Sequence, residues 1–234
     1  MKSKLILALG ISLGVLSACE SDDHDVAFDG VGDIYVRCQK IDNEVKYAPV
    51  IYAYGNMYMS DAEVAHSDED SMIVPLEKLG ENTTVFYSAP SIEDFSTDDI
   101  KNGTYNFKLT STDAEILNLT DELLEERIDP IEVTKFEYDN EKHEIDLAWE
   151  TVEDCDIYHV KIATKIDGQI VFSSKRLNET NLLIKETIPG WDPNYIMKNG
   201  TSYTISVSAY KFEDSTESGY HINQESVEYH KIEW

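Results

Sequence analysis

From Gly30 onward, apolar residues alternate with polar ones in short runs separated by turn-forming clusters. Ile34, Val36 and Cys38 step by two, as do Val50, Tyr52 and Tyr54, and then Ala62 and Val64. This is the period of a strand with one face on a core. Further strands are expected at 73–76, 83–87, 105–109 and 116–119, with Gly55-Asn56, Gly80 and Asn102-Gly103 between them, giving about seven short strands in a first unit. Residues 121–127 are expected to form a helical turn. Pro130 then restricts the backbone, which sets a domain boundary between residues 127 and 128. The alternation restarts at 131–138 and continues at 144–150, 156–164, 169–174, 181–188, 202–210 and 226–232. No stretch longer than a turn has helical spacing, so the expected fold class is all-β, as two tandem sandwiches at 30–127 and 128–234.

The two units echo each other. Lys101-Asn102-Gly103-Thr104-Tyr105 and Lys198-Asn199-Gly200-Thr201-Ser202-Tyr203 lie 97 residues apart, about one sandwich domain, and both lead into alternating strands. The second unit carries Ile145, Leu147 and Trp149 in one strand and Tyr158, Val160 and Ile162 in the next. Gly200-Thr201-Ser202-Tyr203 then precedes Ile205, Val207 and Ala209. With these residues it resembles a fibronectin type III domain. The resemblance implies structural roles for Trp149, as the central core indole, and for Tyr203, as a tyrosine corner whose hydroxyl bonds the backbone upstream. The long segment at 189–198 departs from that family's pattern. The first unit resembles an immunoglobulin-like module more loosely, through its Asn-Gly-Thr-Tyr strand.

The amino end reads differently. Lys2 and Lys4 precede an uncharged run at 5–16, shorter than a membrane span but suited to a secretory signal core. Leu16-Ser17-Ala18-Cys19 resembles the lipobox of bacterial lipoproteins. That resemblance implies a signal peptide at 1–18 and diacylglycerol on the Cys19 thiol, so the membrane is a partner through this anchor. The acidic run from Glu20 to Asp25, within a tether at 19–29, is similar to the export signal of Bacteroidetes surface lipoproteins. It implies an outer-membrane protein facing the cell exterior. A solvated tether facing the periplasm uses the same residues.

Charge narrows the partners. Of 234 residues, 46 are acidic and 19 are Lys or Arg, for a net charge of −27. Such a surface repels phosphate backbones, so nucleic acid is excluded as a partner. Each unit has a single cysteine, Cys38 or Cys155, so both are expected as free thiols. Gly10-Ile11-Ser12-Leu13-Gly14 matches a hydrolase elbow but falls in the signal peptide. His143-Glu144 starts like a zincin motif, yet Leu147 stands where the second His ligand belongs. Acidic loops such as 67–70 read as solvated. No catalytic residue, metal ligand or cofactor is assigned.

Recognition is left to aromatics, which stack on sugar rings and anchor protein interfaces. Tyr52, Tyr54 and Tyr58 form one group. Trp191 and Tyr195, in the long segment, are the candidate ligand-binding residues; an indole in such a polar loop either stacks on a sugar or folds back as a plug over the sandwich end, and the plug is the favoured reading of the two. The expected function is a non-catalytic, lipid-anchored adhesion or accessory glycan-binding module. The alternative is a structural spacer or assembly subunit that binds another surface protein.

Overall fold

A computed structural model describes residues 27–68, 73–81, 83–213 and 221–234. The residues expected as a signal peptide, Cys19 and most of the expected tether lie outside the described residues, as does part of the acidic loop at 67–70. The first unit has eight strands: β1 (Gly30–Ile41), β2 (Glu44–Gly55), β3 (Met59–His66), β4 (Ile73–Pro75), β5 (Glu77–Lys78), β6 (Val85–Ser88), β7 (Gly103–Ser111) and β8 (Ile116–Leu123). The second has seven: β9 (Val133–Asp139), β10 (Glu144–Trp149), β11 (Ile157–Ala163), β12 (Ile170–Ser173), β13 (Asn181–Ile184), β14 (Ser202–Phe212) and β15 (Ile222–Glu233). Among the described residues the helical content is one 3₁₀ turn, Ile92–Asp94. The fold is all-β, as the alternation predicts.

Each unit buries its own core. In the first, Ile34 and Val36 of β1, Ile51 and Ala53 of β2 and Phe86 meet Val64, Phe107 and Leu109 from the facing sheet β4-β3-β7-β8. Gly32 lets these sheets approach, because a Cβ there would lie 2.5 Å from the Phe107 ring. Asp42 and Asn43 join β1 to β2 with positive φ at both, the demand of a two-residue hairpin turn that short polar side chains tolerate. In the second unit, β13-β10-β9 packs over β12-β11-β14-β15 around Leu147, Trp149, Val160, Ile162, Phe172 and Ile205. This three-plus-four arrangement is a fibronectin type III-like sandwich.

The units are joined more tightly than the sequence reading anticipates. β1 pairs in parallel with β15, with Val36 opposite Gln224, Arg37 opposite Glu225 and Cys38 opposite Ser226. One eight-stranded sheet, β12-β11-β14-β15-β1-β2-β6-β5, therefore runs through both sandwiches. The connecting segment is held along β15. The N–H groups of Leu124, Ile128, Ile131 and Val133 donate to the side chains of Asn223 (2.8 Å), Gln224 (2.7 Å), Ser226 (2.7 Å) and Glu228 (2.8 Å). Backbone donors that a free linker would leave to water are thus satisfied by strand side chains, which fixes the connection in place.

One local expectation fails. The turn of helix at 121–127 is instead the end of β8 followed by an irregular segment. In β8, Leu117, Leu119, Asp121 and Leu123 share one face by strand alternation, and Asp121 and Leu123 are buried. Period-two burial outweighs the weak helical preference of a short acidic stretch.

Candidate functional site

Alternation puts Asp33, Tyr35 and Arg37 on the face of β1 opposite the first core, so they look across the face of the shared sheet that neither core covers. Here a cavity of about 380 Å³ is floored by Tyr35, Arg37, Tyr87, Tyr229 and Glu225. Its rim is aliphatic and comes from both units: Leu79 beside β5 is 66% exposed, and Ile166 and Ile170 of the β11–β12 hairpin are 47% and 45% exposed.

The floor is rigid because its charges are paired. Arg37 Nε donates to Glu225 Oε2 at 2.8 Å, and Arg37 Nη1 lies 3.1 Å from Asp167 Oδ2. Glu225 also accepts from the hydroxyls of Tyr210 (2.7 Å) and Ser208 (3.0 Å). Burial alone would raise the Glu225 carboxyl. Arg37, Lys161 and Tyr210 more than offset that and hold it down at about 2. Burial pushes the Tyr87 hydroxyl up to about 12, so it stays a neutral donor.

A second group on the same face of β1 lacks that balance. Asp33 of β1, Asp121 of β8, Glu213 just after β14 and His221 just before β15 bring one carboxylate oxygen or ring nitrogen each to within 4.8 Å of one another. His221 Nδ1 is 3.7 Å from Asp121 Oδ1 and 3.9 Å from Glu213 Oε2. Their backbones are anchored, since the Glu213 N–H donates to the His221 carbonyl at 3.1 Å and the Ile34 N–H donates to Asp121 Oδ2 at 2.8 Å. Asp33 has no exposed surface, and neither of its oxygens has a hydrogen-bond partner of normal geometry; Glu213 Oε1 is likewise unpartnered. The Tyr52 hydroxyl and Ile222 amide lie near enough to ease ionisation of Asp33 slightly. Burial first, then the Asp121 charge, nevertheless pushes Asp33 up to about 9. Burial and Asp121 push Glu213 up to about 8, and burial raises Asp121.

The sequence-selected residues fall elsewhere. Trp191 is half-buried against Phe172 and Trp234, with ring centroids 4.9 and 5.8 Å away, and its indole N–H donates to the Lys185 carbonyl at 2.9 Å. Tyr195 lies edge-on to Tyr203, with hydroxyls 3.3 Å apart. Trp149 is buried beside Tyr158. The Tyr203 hydroxyl accepts from the Lys198 N–H at 2.9 Å. A similar corner in the first unit, Tyr105 donating to the Lys101 carbonyl at 2.7 Å, was legible in the shared Lys-Asn-Gly-Thr lead-in but not assigned. Tyr52 lines the cavity, whereas Tyr54 and Tyr58 are exposed. The cavity floor and the acid–histidine group were both missed, because their members come from strands far apart in sequence.

Among the described residues, neither the thiols nor the His159–Ser173 contact forms an activated nucleophile. Cys38 and Cys155 are free thiols; burial pushes Cys38 up to about 12 and also raises Cys155. His159 Nε2 lies 2.9 Å from Ser173 Oγ, but it is also 2.8 Å from the Ser174 carbonyl oxygen. A proton donated to that carbonyl occupies the nitrogen a general base would need.

No protein-family model matches the chain, and no curated protein matches it in sequence. Among solved structures, the chain is similar to a tetra-tandem repeat in the extending region of a large adhesion protein, at 11% identity and a TM-score of 0.26. The match covers 89% of this chain and 50% of that one, so the chain spans half the length of its structural neighbour.

Proposed function

We propose that this chain is a non-catalytic adhesion module of the bacterial surface, tethered through acyl chains on Cys19, and that it grips a segment of another surface protein in the groove of its shared sheet. The groove carries the reading. It exists only because β1 pairs with β15, and its exposed aliphatic rim is contributed by both units. Exposed aliphatic residues around a polar, hydrogen-bonded floor suit a protein contact, in which the rim loses apolar surface to the partner and the floor fixes register. Two stable acyl chains would supply the anchor.

A glycan ligand is the second reading, favoured by the tyrosines of the floor, which offer ring faces and neutral hydroxyls. The two readings separate on whole cells. The soluble chain from residue 26, fluorescently labelled, is expected to bind saturably to cells that lack it. Binding should disappear with Leu79→Asp or Ile170→Asp, and after protease treatment of the cells. Binding that survives protease but is lost after periodate, and on Tyr229→Ala, establishes the glycan reading instead. Binding unaffected by every groove substitution but lost on Trp191→Ala overturns the groove. Retention of a Cys19→Ala variant in the membrane fraction overturns the anchor.

A further inference from the structure

The acid–histidine group at the junction has the composition and placement of a metal-ligand set. Three carboxylates and one imidazole converge from four different strand ends, two in each sandwich unit. Among the described residues, no Lys or Arg forms an ion pair with Asp33, Asp121 or Glu213, although Arg37 on the same strand face is paired twice. Asp33 is the independent pointer. It is fully buried and directed into the group, and neither of its oxygens has a hydrogen-bond partner of normal geometry, with only the Tyr52 hydroxyl, the Ile222 amide and the Asp121 carboxyl nearby. A buried carboxylate left so is costly, and such groups in folded proteins are normally paired or bind a metal.

We propose that Asp33, Asp121, Glu213 and His221 bind one divalent transition-metal cation, of which zinc is the reference case, and that the ion clamps the two sandwich units together. The donor set decides the class of ion. Calcium and magnesium favour all-oxygen shells, whereas an imidazole among carboxylates suits zinc and its first-row neighbours. Zinc bonds to oxygen and nitrogen of about 2.0–2.2 Å place tetrahedral ligand atoms about 3.3–3.6 Å apart. The separations of 3.7 and 3.9 Å from His221 Nδ1 already approach this, and small rotations of the Glu213 and His221 side chains close the rest. His221 is partly exposed and gives the ion a path from solvent, while Asp33 forms the dry inner wall. Tyr52, opposite Asp33 in the β1–β2 register and also on the groove, sits where it can orient the inner carboxylate. Neither the site nor its test depends on the groove having a partner.

The test uses the full chain, purified in detergent without an affinity tag and stripped with chelator. Titration with Zn²⁺ at physiological salt is expected to show one ion bound per chain and a rise in melting temperature. Asp33→Asn and His221→Ala should each weaken that binding at least tenfold. Asp33→Asn keeps the size and neutral form of the buried group and His221 is partly exposed, so both variants should keep the wild-type far-ultraviolet circular dichroism. Co²⁺ in place of Zn²⁺ is expected to give the intense visible bands of a four-coordinate site. Absence of stoichiometric Zn²⁺ uptake by the folded chain, or uptake that both variants retain, overturns the proposal. Calcium uptake without zinc uptake, unchanged by His221→Ala, overturns the assignment to a transition metal.

Discussion

Two buried charged positions sit four residues apart on one face of β1, and they meet opposite fates. Arg37 finds Glu225 on the neighbouring strand and Asp167 on a hairpin loop, so its charge is compensated within the protein. Asp33 finds Asp121 and Glu213, so burial adds repulsion to desolvation. Strand, face and depth are shared, and only the partners differ. Burial of a charge therefore does not by itself indicate a role. Balance does: the compensated cluster ties the units together unaided, whereas the uncompensated one has to take up protons or a cation.

The largest expected effect breaks the balanced cluster. Arg37→Met leaves Glu225 buried without its counter-charge and should cost about 3–5 kcal/mol in urea unfolding. Adding Glu225→Leu should restore most of that loss, and a double variant no more stable than the single one would break the contrast. Next comes pH in the metal-free chain. Because the Asp33 carboxyl is raised from 3.8 to about 9, the folded state holds a proton that the unfolded chain has released across that window. Stability should accordingly fall as pH rises from about 4 to 9, by on the order of 2–4 kcal/mol, and Asp33→Asn should flatten the slope. Glu225 behaves in the opposite sense. Its carboxyl is lowered from 4.5 to about 2, so its contribution is complete above pH 4.5 and is lost only as pH falls through about 2.

A smaller effect is expected at the connection. Gln224→Ala removes both hydrogen bonds to the Ile128 backbone and should cost about 1–3 kcal/mol by thermal unfolding. It should also accelerate hydrogen exchange of the Ile128 amide. The smallest effects compare the two tyrosine corners. Tyr105→Phe loses the bond to the Lys101 carbonyl and Tyr203→Phe the bond from the Lys198 N–H, and each corner bond should be worth about 1 kcal/mol, measured by the same denaturant titration. A markedly larger loss at Tyr203 would show that its contact with the Tyr195 hydroxyl adds to the corner.

The strands were legible because alternation is a local record of burial. Ile34, Val36 and Cys38, or Ile145, Leu147 and Trp149, declare an inner face without reference to any other segment. The shared Asn-Gly-Thr before Tyr105 and Tyr203 is likewise a local signal of two similar corners, although only the second was assigned from it. The candidate sites were not legible. Asp33 is one of 46 acidic residues, and nothing in the neighbouring sequence marks it or Arg37 as buried. For Trp191 the polar loop allowed a sugar platform or a plug, and the ring packs against Phe172 and Trp234 as a plug would. The helical turn expected at 121–127 failed for a related reason, since the face shared by Leu119, Asp121 and Leu123 is apparent only once β1 lies beneath it.

By itself the sequence determined that the chain is all-β, where its strands alternate, and that its first nineteen residues resemble a lipoprotein leader, since each follows from neighbours within a few positions. Only the tertiary structure decided that the last strand lies parallel to the first, and with it the groove, the buried Arg37–Glu225 pair and the convergence of Asp33, Asp121, Glu213 and His221. Pairing of strands nearly 190 residues apart depends on how two cores dock. No local period records that choice, because the free energy that selects it is spread over side chains from both ends of the chain.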